Sequence, residues 1–242
     1  MTRNKVLVVG ENRLAEELRT LSESQGFETL LQSQPEATNA SFSVAVETIA
    51  GNEEEKRAVL RKLDTALGPS TPIVSSCLGF STTRIASWTA RPQRIVGFAT
   101  FYPLKEKKLI ELTTGLRGDA DALAEAERFF RALGKETITV KDGPGLTFPR
   151  ILSLIVNEAA RTLDEEVANA EEIDIAMRLG VNYPSGPLRW ADQIALDEVL
   201  AVLEGLHRDT GDDRYRPAPL LKQMVLAGWL GEQSGRGFYS YK

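Results

Sequence analysis

Hydrophobic and polar positions alternate in two different rhythms along this chain. Up to about Val140, short apolar runs of strand type are separated by stretches in which apolar residues recur at helical spacing. Lys5-Val6-Leu7-Val8-Val9-Gly10 is a continuous apolar run, the pattern of a strand buried on both faces. Leu14, Leu18 and Leu21 then mark a helix, and Gly26-Phe27 turns into a second strand, Glu28–Leu31. The same reading predicts strands at Phe42–Ile49, Ile73–Cys77, Arg94–Phe101, Lys105–Leu112 and Ile138–Val140. Helices are predicted at Glu53–Leu67, Thr82–Ala90 and Asp119–Leu133. After the turn Asp142-Gly143-Pro144-Gly145 the rhythm is helical only, with helices at Pro149–Glu165, Asn169–Met177, Pro187–His207 and Pro219–Trp229. The expected fold is therefore α/β plus all-α: a mostly parallel sheet domain over 1–143, then a helical domain over 144–242.

Strand, turn, helix and strand within thirty residues make a βαβ opening of Rossmann type. A dinucleotide fingerprint there would read G-x-G-x-x-G. The six residues are Gly10-Glu11-Asn12-Arg13-Leu14-Ala15. Ala15 still permits close helix–sheet packing. Asn12 places a side chain where backbone must approach a pyrophosphate, and Glu11 adds a negative charge beside it. Gln32-Ser33 stands where an acidic residue would hold the ribose. The fold is expected without the cofactor, and Gly10, Asn12 and Ala15 mark where NAD would otherwise sit.

Composition narrows the chemistry. The 242 residues carry a net charge of −5 and no polybasic arm, which argues against nonspecific nucleic-acid binding. No apolar run approaches a membrane span. Met1-Thr2-Arg3-Asn4-Lys5 leads straight into a strand, so no signal peptide is expected. One cysteine, Cys77, allows no internal disulfide, and a cytoplasmic setting is expected. One histidine, His207, lies in a polar stretch and reads as a solvated helix end. With one His and one Cys, no metal site is expected.

Several stretches together resemble the 3-hydroxyacyl-CoA dehydrogenase family. Val140–Leu152 is similar to its D-x-P-G-F-[IV]-x-N-R-[IL]-L joint, and Glu172–Gly180 to its E-D-I-D-x-A-M-x-x-G helix. Pro184–Asp192 resembles P-x-G-P-[LF]-x-x-x-D. Met224–Tyr241 resembles M-V-x-x-G-x-L-G-x-K-S-G-x-G-F-Y-x-Y, and Val46–Lys56 resembles V-x-E-A-[VI]-x-E-N-x-x-x-K. The resemblance implies a helical domain like that of 6-phosphogluconate dehydrogenase, a setting in fatty acid metabolism, and a ligand cradle to which Lys56 would contribute.

The resemblance also implies a reaction: a secondary alcohol gives hydride to NAD while a neutral His, oriented by a carboxylate, takes the proton. Here the family's G-x-H-F-F-N-P is Gly97-Phe98-Ala99-Thr100-Phe101-Tyr102-Pro103. Ala99 holds the His position and Tyr102 the Asn position. Leu78 replaces the last serine of S-N-T-S, and Pro149 the motif Asn of the joint. The carboxylate survives as Glu111. Loss of the base alone forfeits roughly 10²–10⁴ in rate. Tyr102 could compensate only beside a cation, which Lys105, Lys107 or Lys108 would have to supply by folding inward. The family's helical excursion after the second strand is also missing, leaving Gln32–Ser43 as a bare loop.

Two readings result. One is a catalytically impaired relative, serving as a dimeric scaffold, a partner of an active paralogue, or an acyl-CoA binder. In that case the homodimer forms through the helical domain, with Leu154, Trp190, Leu196, Leu200 and Leu203 as apolar surface or as core. The other is an active NAD-dependent 3-hydroxyacyl-CoA oxidoreductase with a relocated base.

Overall fold

A computed structural model describes residues 5–36 and 41–241. Residues 1–4, on which the expected absence of a leader rests, lie outside the described residues, as do 37–40 of the expected loop. The chain forms two compact units, one running to Thr147 and the other starting at Phe148.

The first unit is built on a seven-stranded sheet. Its strands are β1 (Lys5–Val9), β2 (Glu28–Gln32), β3 (Val44–Glu47), β4 (Ile73–Ser76), β5 (Ile95–Ala99), β6 (Leu109–Thr114) and β7 (Glu136–Thr139). They lie in the order β2-β1-β3-β4-β5-β6-β7. All pairings are parallel except β5 with β6, which is antiparallel. The helices are α1 (Arg13–Ser24), α2 (Glu53–Ala66), α3 (Thr82–Ala86) and α4 (Ala120–Ala132). The continuous apolar strands are buried on both faces, as β1, β3 and β5 require. One core joins Val6, Val8, Val44, Val74 and Val96 of the sheet to Leu14 and Leu18 of α1 and Phe129 and Phe130 of α4.

The strand expected from Lys105 begins later. Residues Leu104–Glu106 form a short 3-10 turn because the Glu17 carboxylate of α1 accepts from Leu104 N at 2.5 Å and Lys105 N at 2.8 Å. At the far end of α2, Asp64 accepts from the buried Arg94 guanidinium at 2.8 Å, from Arg91 Nε and from Ala90 N. Burial pushes the Asp64 carboxyl up, but the Arg94 hydrogen bond, the Ala90 amide and the two guanidinium charges outweigh it, so it stays below the usual carboxylate range.

The second unit consists of α5 (Phe148–Asp164), α6 (Ala170–Val181), α7 (Pro187–Ile194), α8 (Leu196–Thr210) and α9 (Pro219–Leu226). The single helix expected over Pro187–His207 is two. Ala195 breaks it at φ 143, and the next amide, Leu196 N, leaves the helix to donate to Leu230 O at 3.2 Å. No Gly or Pro marks this break. It serves packing: Leu188, Ala191 and Ile194 of α7 and Leu196, Val199, Val202 and Leu203 of α8 are all buried. Asn169 and Glu172 cap α6 reciprocally. Among the described residues, no helix is long and apolar enough to cross a membrane.

Candidate functional site

The carboxyl ends of the strands in an open α/β sheet are where ligands bind, and the residues singled out above cluster there. Ala99, the last residue of β5, is the antiparallel partner of Glu111 on β6. Both are buried. The Glu111 carboxylate accepts from Thr147 N at 2.6 Å. Leu78 follows β4, the other neighbour of β5, and is buried too. Cys77 beside it donates its amide to Phe98 O at 2.9 Å and accepts from Gly145 N at 2.8 Å, tying the turn after β7 to the sheet. Burial, with the charge of Asp142 added, pushes the Cys77 thiol far up, so it is an inert thiol. The sequence marks Asp142 only as a turn residue. Its carboxylate receives Thr82 N, Thr83 N and the Thr83 hydroxyl, and so fixes the start of α3.

Ala99, Glu111 and Leu78 therefore share one end of the first sheet, while Pro149 belongs to the first turn of α5 in the second unit. Neither the alanine methyl nor the leucine side chain can move a proton. Glu111 can receive one, and one of its carboxylate oxygens already accepts from the Thr147 amide.

Tyr102 lies three residues beyond Ala99, and the cation over its ring is not a lysine. Arg13, the first residue of α1, stacks on it at 4.1 Å. With Glu11, Asn12, Glu17 and Lys105 these two line a cleft of about 420 Å³. Sequence reasoning missed Arg13 because the pairing joins residues 13 and 102, with no periodic signal to announce it.

At the βα turn, Gly10 has φ 149, and a Cβ there would lie 2.1 Å from Thr48 Oγ1. Only glycine fits. Asn12 caps α1, its Oδ1 accepting from Ala15 N at 3.0 Å, and its Nδ2 donates to Thr48 O at 3.0 Å. Ala15 is fully buried. Gln32 ends β2 and takes the Gly10 amide on its carbonyl at 3.0 Å. These residues depart from a pyrophosphate-binding turn in three ways. The Asn12 side chain stands where backbone would approach the anion, the Ala15 amide is occupied, and Glu11 brings a like charge.

Lys56 does not face a ligand. It is fully buried, its ammonium 2.5 Å from Glu47 Oε2 and 2.7 Å from Ile49 O. Glu47 also accepts from Ser75 Oγ at 2.5 Å and Ile49 N at 2.5 Å. Burial lowers the Lys56 pKa, and the Glu47 charge opposes it. The pair fastens α2 to β3 and β4.

In the second unit, Asp192 of α7 accepts from Phe238 N, Tyr239 N and the Tyr241 hydroxyl, each at 2.9 Å. Burial raises its pKa against those donors. A Cβ on Gly237 would lie 2.0 Å from Asp192 Oδ1, so the glycines near the end shape this turn. His207 sits in the last turn of α8, 3.4 Å from Asp213 at an exposed position.

Of the five residues named as surface or core, Leu196 and Leu203 are core, both 0% exposed and packed by the break at Ala195, while Leu154, Trp190 and Leu200 are half-buried. Exposed apolar side chains of the second unit include Ile151 of α5 and Ile175, Leu179 and Val181 of α6. Beside it Ile155, Ala159, Ile173 and Met177 line a groove of about 430 Å³. Among the described residues, no group of three or more His, Cys, Asp or Glu side chains could hold a metal ion.

Comparison with known proteins places this geometry. The profile of the 3-hydroxyacyl-CoA dehydrogenase NAD binding domain matches residues 8–143, and that of the C-terminal domain matches residues 145–241. A probable 3-hydroxybutyryl-CoA dehydrogenase of Bacillus subtilis (strain 168) is 39% identical over 214 residues, 88% of this chain and 74% of that protein. The human mitochondrial hydroxyacyl-coenzyme A dehydrogenase is 32% identical over 203 residues, 84% of this chain and 65% of that protein. Among solved structures, M. tuberculosis FadB2 superposes with a TM-score of 0.88 at 25% identity, each chain covered in full. The (S)-3-hydroxybutyryl-CoA dehydrogenase PaaH1 from Ralstonia eutropha gives 0.82 at 31% identity, again over both whole chains.

Proposed function

This chain belongs to the 3-hydroxyacyl-CoA dehydrogenase family, and on that footing we propose that it is a catalytically impaired, cofactor-free member, kept as a dimeric scaffold or partner subunit that can hold an acyl-CoA. One observation carries the reading: Ala99 faces Glu111 where a proton-shuttling imidazole would face its carboxylate. A dehydrogenase of this type must take a hydroxyl proton as hydride leaves. A methyl group offers no lone pair for it. The closed turn at Asn12 removes the place for NAD, and Lys56 is buried against Glu47 rather than offered to a ligand.

What is left intact is the helical unit. Its exposed Ile175, Leu179 and Val181, next to the apolar groove, support a homodimer or a pairing with an active paralogue. The single, buried Cys77 is in keeping with a reducing, cytoplasmic setting.

The test is direct. Purified chain is mixed with NADH and acetoacetyl-CoA, and the NADH absorbance is followed. No turnover is expected, together with a thermal shift from acetoacetyl-CoA alone and a dimer mass by light scattering. Turnover at a rate typical of enzymes, on the order of 1–10³ s⁻¹, would overturn the reading.

A second reading, an active oxidoreductase with a relocated base, is favoured by the Arg13–Tyr102 stack, which brings a cation to a phenol near Ala99. Tyr102→Phe distinguishes the two, since only a relocated base would lose turnover with that hydroxyl.

A further inference from the structure

The order β2-β1-β3 makes the gap between β1 and β3 the point where the chain reverses its winding, and in open α/β sheets the crevice beyond that gap takes the ligand. In this chain two side chains bridge it. Asn12 follows β1 and Thr48 follows β3. Asn12 Nδ2 donates to Thr48 O at 3.0 Å, and the Thr48 hydroxyl donates back to Asn12 Oδ1 at 2.9 Å. The amide of Thr48 also donates to Val9 O at 3.0 Å. The direction of the Asn12 carboxamide is fixed chemically, because Ala15 N is a donor and needs the oxygen. Thr48 is almost wholly buried, and its hydroxyl fills the hollow left by the missing side chain of Gly10.

We propose that the Asn12–Thr48 clasp is an internal closure of this crevice, standing in for a dinucleotide, so that the unit is stable when empty and excludes the cofactor. The inference rests on the cofactor-free reading above and adds the device that enforces it. At the turn the Ala15 amide and both ends of the Asn12 carboxamide are satisfied within the chain. An incoming anion would have to break a reciprocal pair of hydrogen bonds and gain nothing from the Ala15 amide.

The experiment is a thermal scan of the full chain with and without NADH, on wild type, Asn12→Gly, Thr48→Val and the double variant. Wild type is expected to show no shift with NADH. Each single variant is expected to melt about 2–4 °C lower than wild type, and the double variant less far below it than the two losses summed, because both remove the Thr48 hydroxyl–Asn12 Oδ1 bond. Asn12→Gly is expected to regain stability on adding NADH. If that variant fails to fold, Thr48→Val carries the test through its lower melting point and its own NADH response. A rise in wild type with NADH would overturn the closure and the cofactor-free reading together. Losses that add in full, or an Asn12→Gly protein that folds and ignores NADH, would overturn the closure alone and leave the cofactor-free reading to Glu11 and Gln32.

Discussion

Ala99 and Glu111 are direct cross-strand partners, one ending β5 and the other within the antiparallel strand β6. Side chains so paired share a face and lie close enough to interact. An imidazole introduced by Ala99→His therefore meets a carboxylate at once. Its pKa is expected to rise above the ordinary value of about 6.5, because the neighbouring negative charge favours the protonated ring. Proton NMR of the variant, with His207 as the second signal, measures it. A value at or below 6.5 would mean that Glu111 stays with Thr147 and ignores the ring.

Removing the carboxylate tests the other side of that pair. Glu111→Leu takes the acceptor from the amide of Thr147, an exposed residue that water can reach, at an expected cost of about 0.5–1.5 kcal/mol. Glu111→Gln keeps an acceptor oxygen and is expected to cost well under that. Urea denaturation of the two variants separates a hydrogen-bonding role from mere bulk.

Lys56 and Glu47 are fully buried and paired at 2.5 Å. Lys56→Met strands the Glu47 charge and is expected to cost about 3–5 kcal/mol. The double variant Lys56→Met with Glu47→Leu is expected to recover much of that loss, since a buried ion pair and an apolar pair of similar volume differ little. A double variant as unstable as the single one would show that Ser75 and Ile49, not the charge, dominate.

Asp64 sets a pH dependence. Its folded carboxyl is held below the unfolded value of about 3.9, so the stability it contributes is complete above that value and drains away as pH falls through the lower folded value. The first unit is thus expected to weaken below about pH 4. Asp64→Asn is expected to flatten that slope, as read from urea midpoints across an acid series.

Much of this was readable before any coordinates. The apolar runs of β1, β3 and β5 and the stripes of α1, α4 and α5 follow from spacing alone, because burial enforces periodicity. The roles of Ala99 and Glu111 follow from two stretches that resemble the family, and the strand register adds that they face each other. What escaped were polar contacts between distant residues. Thr48 reaches Asn12 across 36 positions and Glu17 reaches Leu104 across 87, and neither leaves a repeating trace. The bend at Ala195 escaped for a related reason: a residue with excellent helical propensity was overruled by the packing of two apolar faces.

Asp192 draws its three donors from residues 46 to 49 positions downstream. During synthesis from the amino end, that carboxylate emerges from the ribosome long before the amides and phenol that satisfy it. Assembly around α7 must wait for the final stretch of polypeptide, and a chain released early would carry an open, uncompensated anion in place of a finished second unit.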